Sequence, residues 1–328
     1  MSKATTIEPL FLLSLPRSGS TLLQRILASH NSIHTTAEPW MLLPILAPLA
    51  NTRMYAEYGY QDYNNAMHDL IHKLPQGRDS YRKHIRKLST DIYRDLAPVN
   101  TRYFLDKTPR YALIVSELLS TFPNAKFICL WRNPLAVAGS MLKTWCNNNW
   151  KLYQFEIDLY EGLSNLLEAV ETHPERIHTV CYENLVNSPQ LHIDEICNYL
   201  DISFNESMLS EFKDISFQGG KGDQVGTKRY EVVSADSIDA WHHVLNSPIR
   251  KSWAKKYLNW IGNERIEFMG YDINILLSQI ETIPSAFSLI PSDFIHSIYG
   301  GAYRYFPLNV LRSNLDKRRH HKRVFGIY

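Results

Sequence analysis

Cysteine is scarce in this chain: four in 328 residues, at Cys129, Cys146, Cys181 and Cys197. None forms a Cys-x-x-Cys pair and none clusters with histidine, so nothing points to a zinc framework. Cys129 and Cys181 fall in apolar runs and read as buried free thiols, which fits a reducing compartment. Charge of one sign is lacking too. The formal net charge is +2, which argues against a general nucleic-acid binder and leaves any cationic site to local placement. Long hydrophobic runs are missing. The apolar stretch near the start, Pro9–Leu15, is far too short to cross a bilayer. Internal repeats and low-complexity tracts are absent as well. What the chain does have is 45% apolar residues, enough for one large α/β domain or two small ones.

The most informative stretch is Pro9-Leu10-Phe11-Leu12-Leu13-Ser14-Leu15-Pro16-Arg17-Ser18-Gly19-Ser20-Thr21-Leu22-Leu23. An apolar run ends in a loop of small and hydroxyl residues, and helical spacing begins at Leu22, Leu23, Ile26 and Leu27. This is strand, anion loop, helix, in which backbone amides and a helix N-terminus point at an anion. On the G-x-x-x-x-G-K-[ST] template Ser14 takes the first glycine, Gly19 the second and Thr21 the hydroxyl, but Ser20 replaces the lysine. The later apolar run Lys126–Trp131 ends in Arg132 where a nucleotide triphosphatase would place a magnesium-binding aspartate. The anion site therefore reads as metal-free, with Arg17 as its cation.

Pro16-Arg17-Ser18-Gly19-Ser20-Thr21-Leu22-Leu23 resembles the 5′-phosphosulfate loop of sulfotransferases that use 3′-phosphoadenosine 5′-phosphosulfate (PAPS). Arg132-Asn133-Pro134 followed by Ser140 resembles their 3′-phosphate motif, and Val180-Cys181-Tyr182-Glu183-Asn184-Leu185-Val186 a third landmark. The three occur in family order across residues 9–225. The resemblance implies a three-layer α/β fold with a central, mostly parallel sheet, P-loop-like, with helical insertions that bind the acceptor. It implies PAPS as donor and PAP (3′-phosphoadenosine 5′-phosphate) as product, with Arg17, Ser18, Gly19, Ser20, Thr21 and Leu22 at the 5′ end and Arg132 and Ser140 at the 3′-phosphate. Tyr182 is expected either to stack on adenine or to be a core aromatic. The glycine-rich segment 217–226 holds Lys221 and Gly222, which match a Lys-Gly loop that closes over the nucleotide, although Gly220 stands where the family has arginine.

Transfer of a sulfuryl group asks for cations on the leaving side and a base on the acceptor side. Arg17 is one cation. Lys107, just beyond the run Phe104-Leu105-Asp106, matches the family's lysine at a strand end; a structural ion pair with Asp106 is the other reading. The histidine that cytosolic small-molecule sulfotransferases carry two residues after that lysine is Pro109 here. Protein-tyrosine sulfotransferases instead place a glutamate 21 positions after the loop arginine, which is Glu38. The base is therefore assigned to Glu38, with a salt bridge or a helix cap as its non-catalytic alternatives, His34 in reserve, and His30 closing the first helix.

Strands are expected at Leu10–Leu15, Tyr103–Asp106, Lys126–Trp131 and Arg176–Tyr182. Helices are expected at Thr21–Ser29, Pro134–Thr144 and Ser188–Tyr199, the last with Ser188 as N-cap and Pro189 in its first turn. Residues 1–275 form the sulfotransferase domain, with a helical acceptor-binding cap at about 40–100; residues 276–328 are an extension ending in a basic tail. Residues 145–172 are aromatic and helical, mostly for packing. The tail run Lys317-Arg318-Arg319-His320-His321-Lys322-Arg323 reads as a solvated end, or as a contact with anionic lipid or an acidic acceptor. There is no room for the membrane anchor of animal Golgi sulfotransferases, so a soluble, cytoplasmic, bacterial enzyme is expected. Its acceptor would be the hydroxyl of a glycan, glycolipid or secondary metabolite. The competing readings are a small-molecule kinase with a degenerate P-loop and a non-catalytic nucleotide-binding scaffold.

Overall fold

The computed structural model describes residues 7–50, 60–215, 217, 233–235 and 237–305. Five strands form one sheet: β1 (Glu8–Ser14), β2 (Ile33–Thr35), β3 (Tyr103–Asp106), β4 (Lys126–Trp131) and β5 (Ile177–Cys181). Their spatial order is β2-β3-β1-β4-β5 and every pairing is parallel. The unbroken apolar run Leu10–Leu13 follows from β1 lying at the centre of the sheet with both faces covered. Leu10 and Leu12 pack on one side with Leu22, Leu23, Ile193 and Ile196, whereas Phe11 and Leu13 pack on the other with Leu118, Leu135 and Leu163. The result is three layers. Helices α1 (Ser20–Ala28), α8 (Tyr182–Asn187) and α9 (Pro189–Leu200) supply the first face, while α5 (Val115–Thr121), α6 (Pro134–Trp145) and α7 (Leu163–Thr172) supply the second.

β3 and β4 have the expected bounds, and the others differ by one or two residues. β1 starts at Glu8 and stops at Ser14; β5 stops at Cys181, so that Tyr182 opens α8 rather than ending a strand. The three-residue β2 was not foreseen, being too short to show a period. α9 begins at Pro189 with Ser188 at the cap position, but the Ser188 side chain makes no capping bond. His30 does not close α1. Ser29 takes that place, and the His30 ring accepts a hydrogen bond from the Ser32 amide at 3.1 Å.

The described residues of the 40–100 region carry helices as expected: α2 (Leu42–Leu46), α3 (Tyr60–His72) and α4 (Arg78–Leu96). α4 lies against α5, where Arg82 pairs with Glu117 at 2.7 Å, and against β3, where Tyr93 stacks on Phe104 with ring centroids 4.4 Å apart. Of the segment beyond 275, residues up to 305 are described, and they are docked on the body. Ile280 and Ile283 enter the main core, and the helix Ile290–Tyr305 is tied to the helix Pro248–Ile261 by a bidentate pair of Arg250 with Asp293 at 2.8 and 2.9 Å. Among the described residues all four cysteines are free; Cys181 is only partly buried.

The connection leaving β1 runs toward β2 on one side of the sheet, and that leaving β4 runs toward β5 on the other. The chain order reverses between these two adjacent strands. In open α/β sheets such a reversal opens a crevice at the carboxyl ends of the strands, where ligands bind.

Candidate active site

The crevice is lined by the turn that follows β1. Arg17 and Gly19 both have positive φ, 71° and 91°. The Ser18 amide closes on the Leu15 carbonyl, and the Leu22 and Leu23 amides on Gly19. α1 carries no side-chain cap and no acidic residue in its first turn. The positive end of its dipole is thus left for an external anion. Ser18, Ser20 and Thr21 are buried around this turn, and the buried Ser14 hydroxyl has no partner. Gly19 is needed for space as well as for φ, because a Cβ there would stand 2.4 Å from Cε2 of Tyr182. Gly19→Ala should therefore lower stability by about 1–3 kcal/mol and weaken anion binding. A thermal denaturation scan, with and without ligand, checks both.

Tyr182 is fully buried. Its hydroxyl is 2.8 Å from Ser237 Oγ, and the Arg132 guanidinium lies 4.4 Å above its ring. The ring is a floor under the loop, packed against Gly19 on one side and carrying the Arg132 guanidinium over its ring. Arg132 donates to the Arg17 carbonyl at 3.0 Å and to the Ser237 carbonyl at 2.8 Å, while its buried Nε–H has no partner. Arg17 Nε donates to Ser140 Oγ at 3.2 Å. The 5′ loop and the expected 3′-phosphate residues therefore meet, and they do so around a guanidinium with an unused donor. The turn that carries Arg132 is held by Glu183, whose carboxylate accepts from the Asn133 amide at 3.1 Å and from the Tyr271 hydroxyl at 2.6 Å. That is what the third sequence landmark does structurally.

The second cluster lies at the end of β3. Lys107 is 2% exposed, and its Nζ sits 2.7 Å from Glu38 Oε1 and 3.5 Å from Thr21 Oγ1. Trp40 donates its indole N–H to the other Glu38 oxygen at 3.1 Å. Both oxygens of Glu38 thus have a fixed donor. The segment that carries it is pinned at both ends: Gln24 of α1 donates to Thr35 and Thr36 at 2.8 Å, and the Trp40 amide donates to Thr108 Oγ1 at 3.3 Å. Trp40 has φ 55°, a left-handed conformation that a bulky residue adopts only when its surroundings hold it.

The Asp106–Lys107 ion pair is not formed. Asp106 accepts instead from the hydroxyls of Tyr93 at 2.6 Å and Tyr111 at 3.1 Å. Burial pushes the Asp106 carboxyl up to about 6 against these stabilising hydrogen bonds. The folded state therefore holds this proton more tightly than the unfolded one. Stability should fall by about 2–3 kcal/mol as pH rises from about 4 to about 6. Urea melts of wild type and Asp106→Asn over this range should show that slope in the wild type alone.

His34 is not gathered into the cluster. Its ring faces Phe104, 6.0 Å away, on the sheet face that carries Tyr93. Its neighbour Thr35 points the other way, toward Gln24 of α1. Burial lowers the His34 pKa. Lys221 and Gly222 lie outside the described residues. The sequence reading missed Trp40, Ser237 and Gln24. Trp40 stands two residues after Glu38, and that adjacency was its only signal. Among the described residues no group of three or more His, Cys, Asp and Glu could hold a metal ion.

A sulfotransferase family model matches residues 9–206, and the chain belongs to that family. It is 34% identical over 152 residues to nodulation protein NoeE of Sinorhizobium fredii, a match covering 44% of this chain and 34% of that protein. It is 23% identical over 248 residues to protein-tyrosine sulfotransferase 1 of Danio rerio, covering 71% of this chain and 65% of that one. The chain thus spans about a third of the length of the first of these relatives. Among solved structures, the sulfotransferase domain from the curacin biosynthetic pathway superposes with a TM-score of 0.52 at 22% identity, covering 81% of this chain and 98% of that one. The fold is the P-loop-like sulfotransferase fold expected from the sequence.

Proposed function

We propose that this chain transfers the sulfuryl group of PAPS to the hydroxyl of a glycan, glycolipid or secondary metabolite. The observation that carries the reading is the joining of the two clusters by α1. Its N-terminal turn forms the anion loop, and Thr21 on its first turn touches the lysine that holds Glu38. Arg17, Ser18, Gly19, Ser20, Thr21 and Leu22 would hold the 5′ end of the nucleotide, Arg132 and Ser140 its 3′-phosphate, and Lys221 and Gly222 would complete the grip. The donor, when bound, supplies an activated sulfuryl group on a phosphate leaving group. Arg17 and Lys107 stabilise negative charge as it builds on that phosphate. Glu38 would take the proton of the acceptor hydroxyl while the hydroxyl oxygen bonds to sulfur and the bond from sulfur to the 5′-phosphate oxygen breaks, releasing PAP with that electron pair. Lys107 and Trp40 keep the carboxylate aimed. Arginine and lysine supply the positive charge that magnesium supplies to kinases, so no metal is assigned a role. Trp145 is 49% exposed, its ring lies tilted beside Phe155 with centroids 5.2 Å apart, and it is 5.7 Å from the Arg17 guanidinium. These two rings offer an apolar wall to the acceptor, and the helices at 40–100 are its cap.

Recognition of the 3′-phosphate is the most exposed part of this reading. The wild type should bind PAP more tightly than AMP, which lacks that phosphate. Arg132→Ala should lose about tenfold to a hundredfold in PAP affinity and should lose less in AMP affinity, since its bond to the Arg17 carbonyl also supports the 5′ loop. Calorimetric titration of both proteins with both nucleotides tests this. Equal binding of PAP and AMP by the wild type would remove the donor assignment.

A further inference from the structure

Lys107 and Trp40 hold the side chain of Glu38; the backbone that follows it is held from a different direction. α2 begins at Leu42, and its N-cap residue Met41 supplies no side-chain cap. A helix start leaves backbone amides that must be satisfied from outside the helix. The Leu42 amide donates to the Tyr111 hydroxyl at 3.2 Å, and the Trp40 amide donates to Thr108 Oγ1 at 3.3 Å. Both hydroxyls in turn donate to Asp106, Tyr111 to Oδ2 at 3.1 Å and Thr108 to Oδ1 at 3.5 Å. A backbone amide can only donate, and an ionised carboxylate can only accept. Each hydroxyl between them is therefore left with one orientation, its proton toward Asp106 and a lone pair toward the amide. Asp106, Thr108 and Tyr111 are all buried, so bulk water does not compete for these bonds. Tyr93 of α4 gives the carboxylate a further donor at 2.6 Å, outside both relays.

We infer that Asp106 is a positioning residue for Glu38, acting through Thr108 and Tyr111 on the backbone of Trp40 and Leu42. The end of β3 then fixes Glu38 twice. Lys107 grips the carboxylate directly, and its neighbour Asp106, facing the other way, orders the segment from which the Trp40 indole reaches back to the second Glu38 oxygen. The left-handed backbone of Trp40, φ 55°, is a conformation that needs such a hold. A carboxylate that must meet a hydroxyl proton at hydrogen-bond reach works only if its supporting residues are themselves fixed. The functional meaning of this inference rests on Glu38 as the base; its structural part is tested without turnover.

The test is solvent exchange of the Trp40 indole proton, followed by NMR in the full chain labelled with 15N-tryptophan, above the pH at which Asp106 titrates. Trp40→Phe identifies the signal among the seven tryptophans. In the wild type this proton should exchange slowly, because Glu38 accepts it. Thr108→Val keeps the shape but removes one relay, and it should speed exchange at Trp40 by about tenfold or more while the other indoles keep their rates. Thr108→Ser restores the hydroxyl and should restore the wild-type rate. Asp106→Asn should act like Thr108→Val, since an amide cannot accept on both sides. Tyr93→Phe should lower the melting temperature without moving the Trp40 rate. A wild-type Trp40 signal that exchanges like an exposed indole overturns the inference. So does an unchanged rate in Thr108→Val, a rate that Thr108→Ser fails to restore, or faster exchange spread over all the tryptophans. Retention of kcat in Glu38→Gln would remove the base and leave the exchange result standing, whereas unchanged exchange removes the relay and leaves the base.

Discussion

Glu38→Gln should lower turnover by about a thousandfold or more and leave PAP affinity within about twofold of the wild type. The substitution keeps the shape, and the remaining carbonyl oxygen can still accept from Lys107 or Trp40, so the segment between β2 and α2 should stay in place. What disappears is the negative charge and with it the ability to take a proton. Lys107 Nζ sits 2.7 Å from Glu38 and 3.5 Å from Thr21, so one lysine links Glu38 to the helix that follows the β1 turn. A purely structural salt bridge would also occupy these positions, and the two roles predict different results. A structural pair would lose melting temperature in Glu38→Gln while retaining kcat. A base would lose kcat with little change in melting temperature. Nucleotide affinity, measured calorimetrically, separates loss of the base from collapse of the loop. His34 lies on the opposite sheet face and should not take over, so the Glu38→Gln, His34→Ala pair should be no slower than Glu38→Gln alone.

Asp293→Ala should destabilise the fold by about 3–5 kcal/mol. Arg250 is 1% and Asp293 0% exposed. Removing the carboxylate leaves a guanidinium buried without its counter-charge, retaining only neutral partners: Asn148 Oδ1 and O and the Val244 carbonyl at 2.8–3.0 Å. The Ser247 hydroxyl, which donates to Asp293 and caps the helix Pro248–Ile261 by accepting from the Arg250 amide, loses its acceptor at the same time. The expected result is a lower urea midpoint with detachment of the helix Ile290–Tyr305, visible as new protease cleavage near 284–290. An unchanged midpoint would mean that this helix is not part of the cooperative unit. The sequence boundary at 275 gave no hint of this coupling. An aspartate in an otherwise apolar helical stretch was its only trace.

What the sequence disclosed and what it hid follow from how local each signal is. β3 and β4 were legible to the residue because they are short apolar runs bounded by polar turn residues, and the anion loop because its small residues stand between a buried strand and a helix. β2 has only three residues, and its identity depends on pairing with β3 through Ile33, His34 and Thr35. The Glu38–Lys107 pair joins residues 69 apart, and no periodicity encodes it; it was reached through family spacing. Lys107 was expected to choose between the nucleotide and its neighbour Asp106. The alternation of side chains along β3 decides against the neighbour. Asp106 turns toward Tyr93 and Tyr111 on one face, and Lys107 turns toward Thr21 of α1 on the other. Tyr182 was placed on a strand end by its apolar surroundings, but as the first residue of α8 its ring turns under the loop. Burial of that kind depends on Gly19, Arg132 and Ser237 together, and no single stretch of sequence shows all three.

On the function proposed above, the crevice between β1 and β4 takes a 3′-phosphorylated adenine nucleotide rather than a metal-bound triphosphate. The most direct measurement is calorimetric titration of the full chain with PAP in EDTA and, separately, with ATP and magnesium. Tight binding of PAP without metal is expected, with weak or absent binding of magnesium-ATP. Preference for magnesium-ATP would contradict it and make the chain a kinase with an altered loop, and binding of neither would leave a family fold without the donor proposed for it.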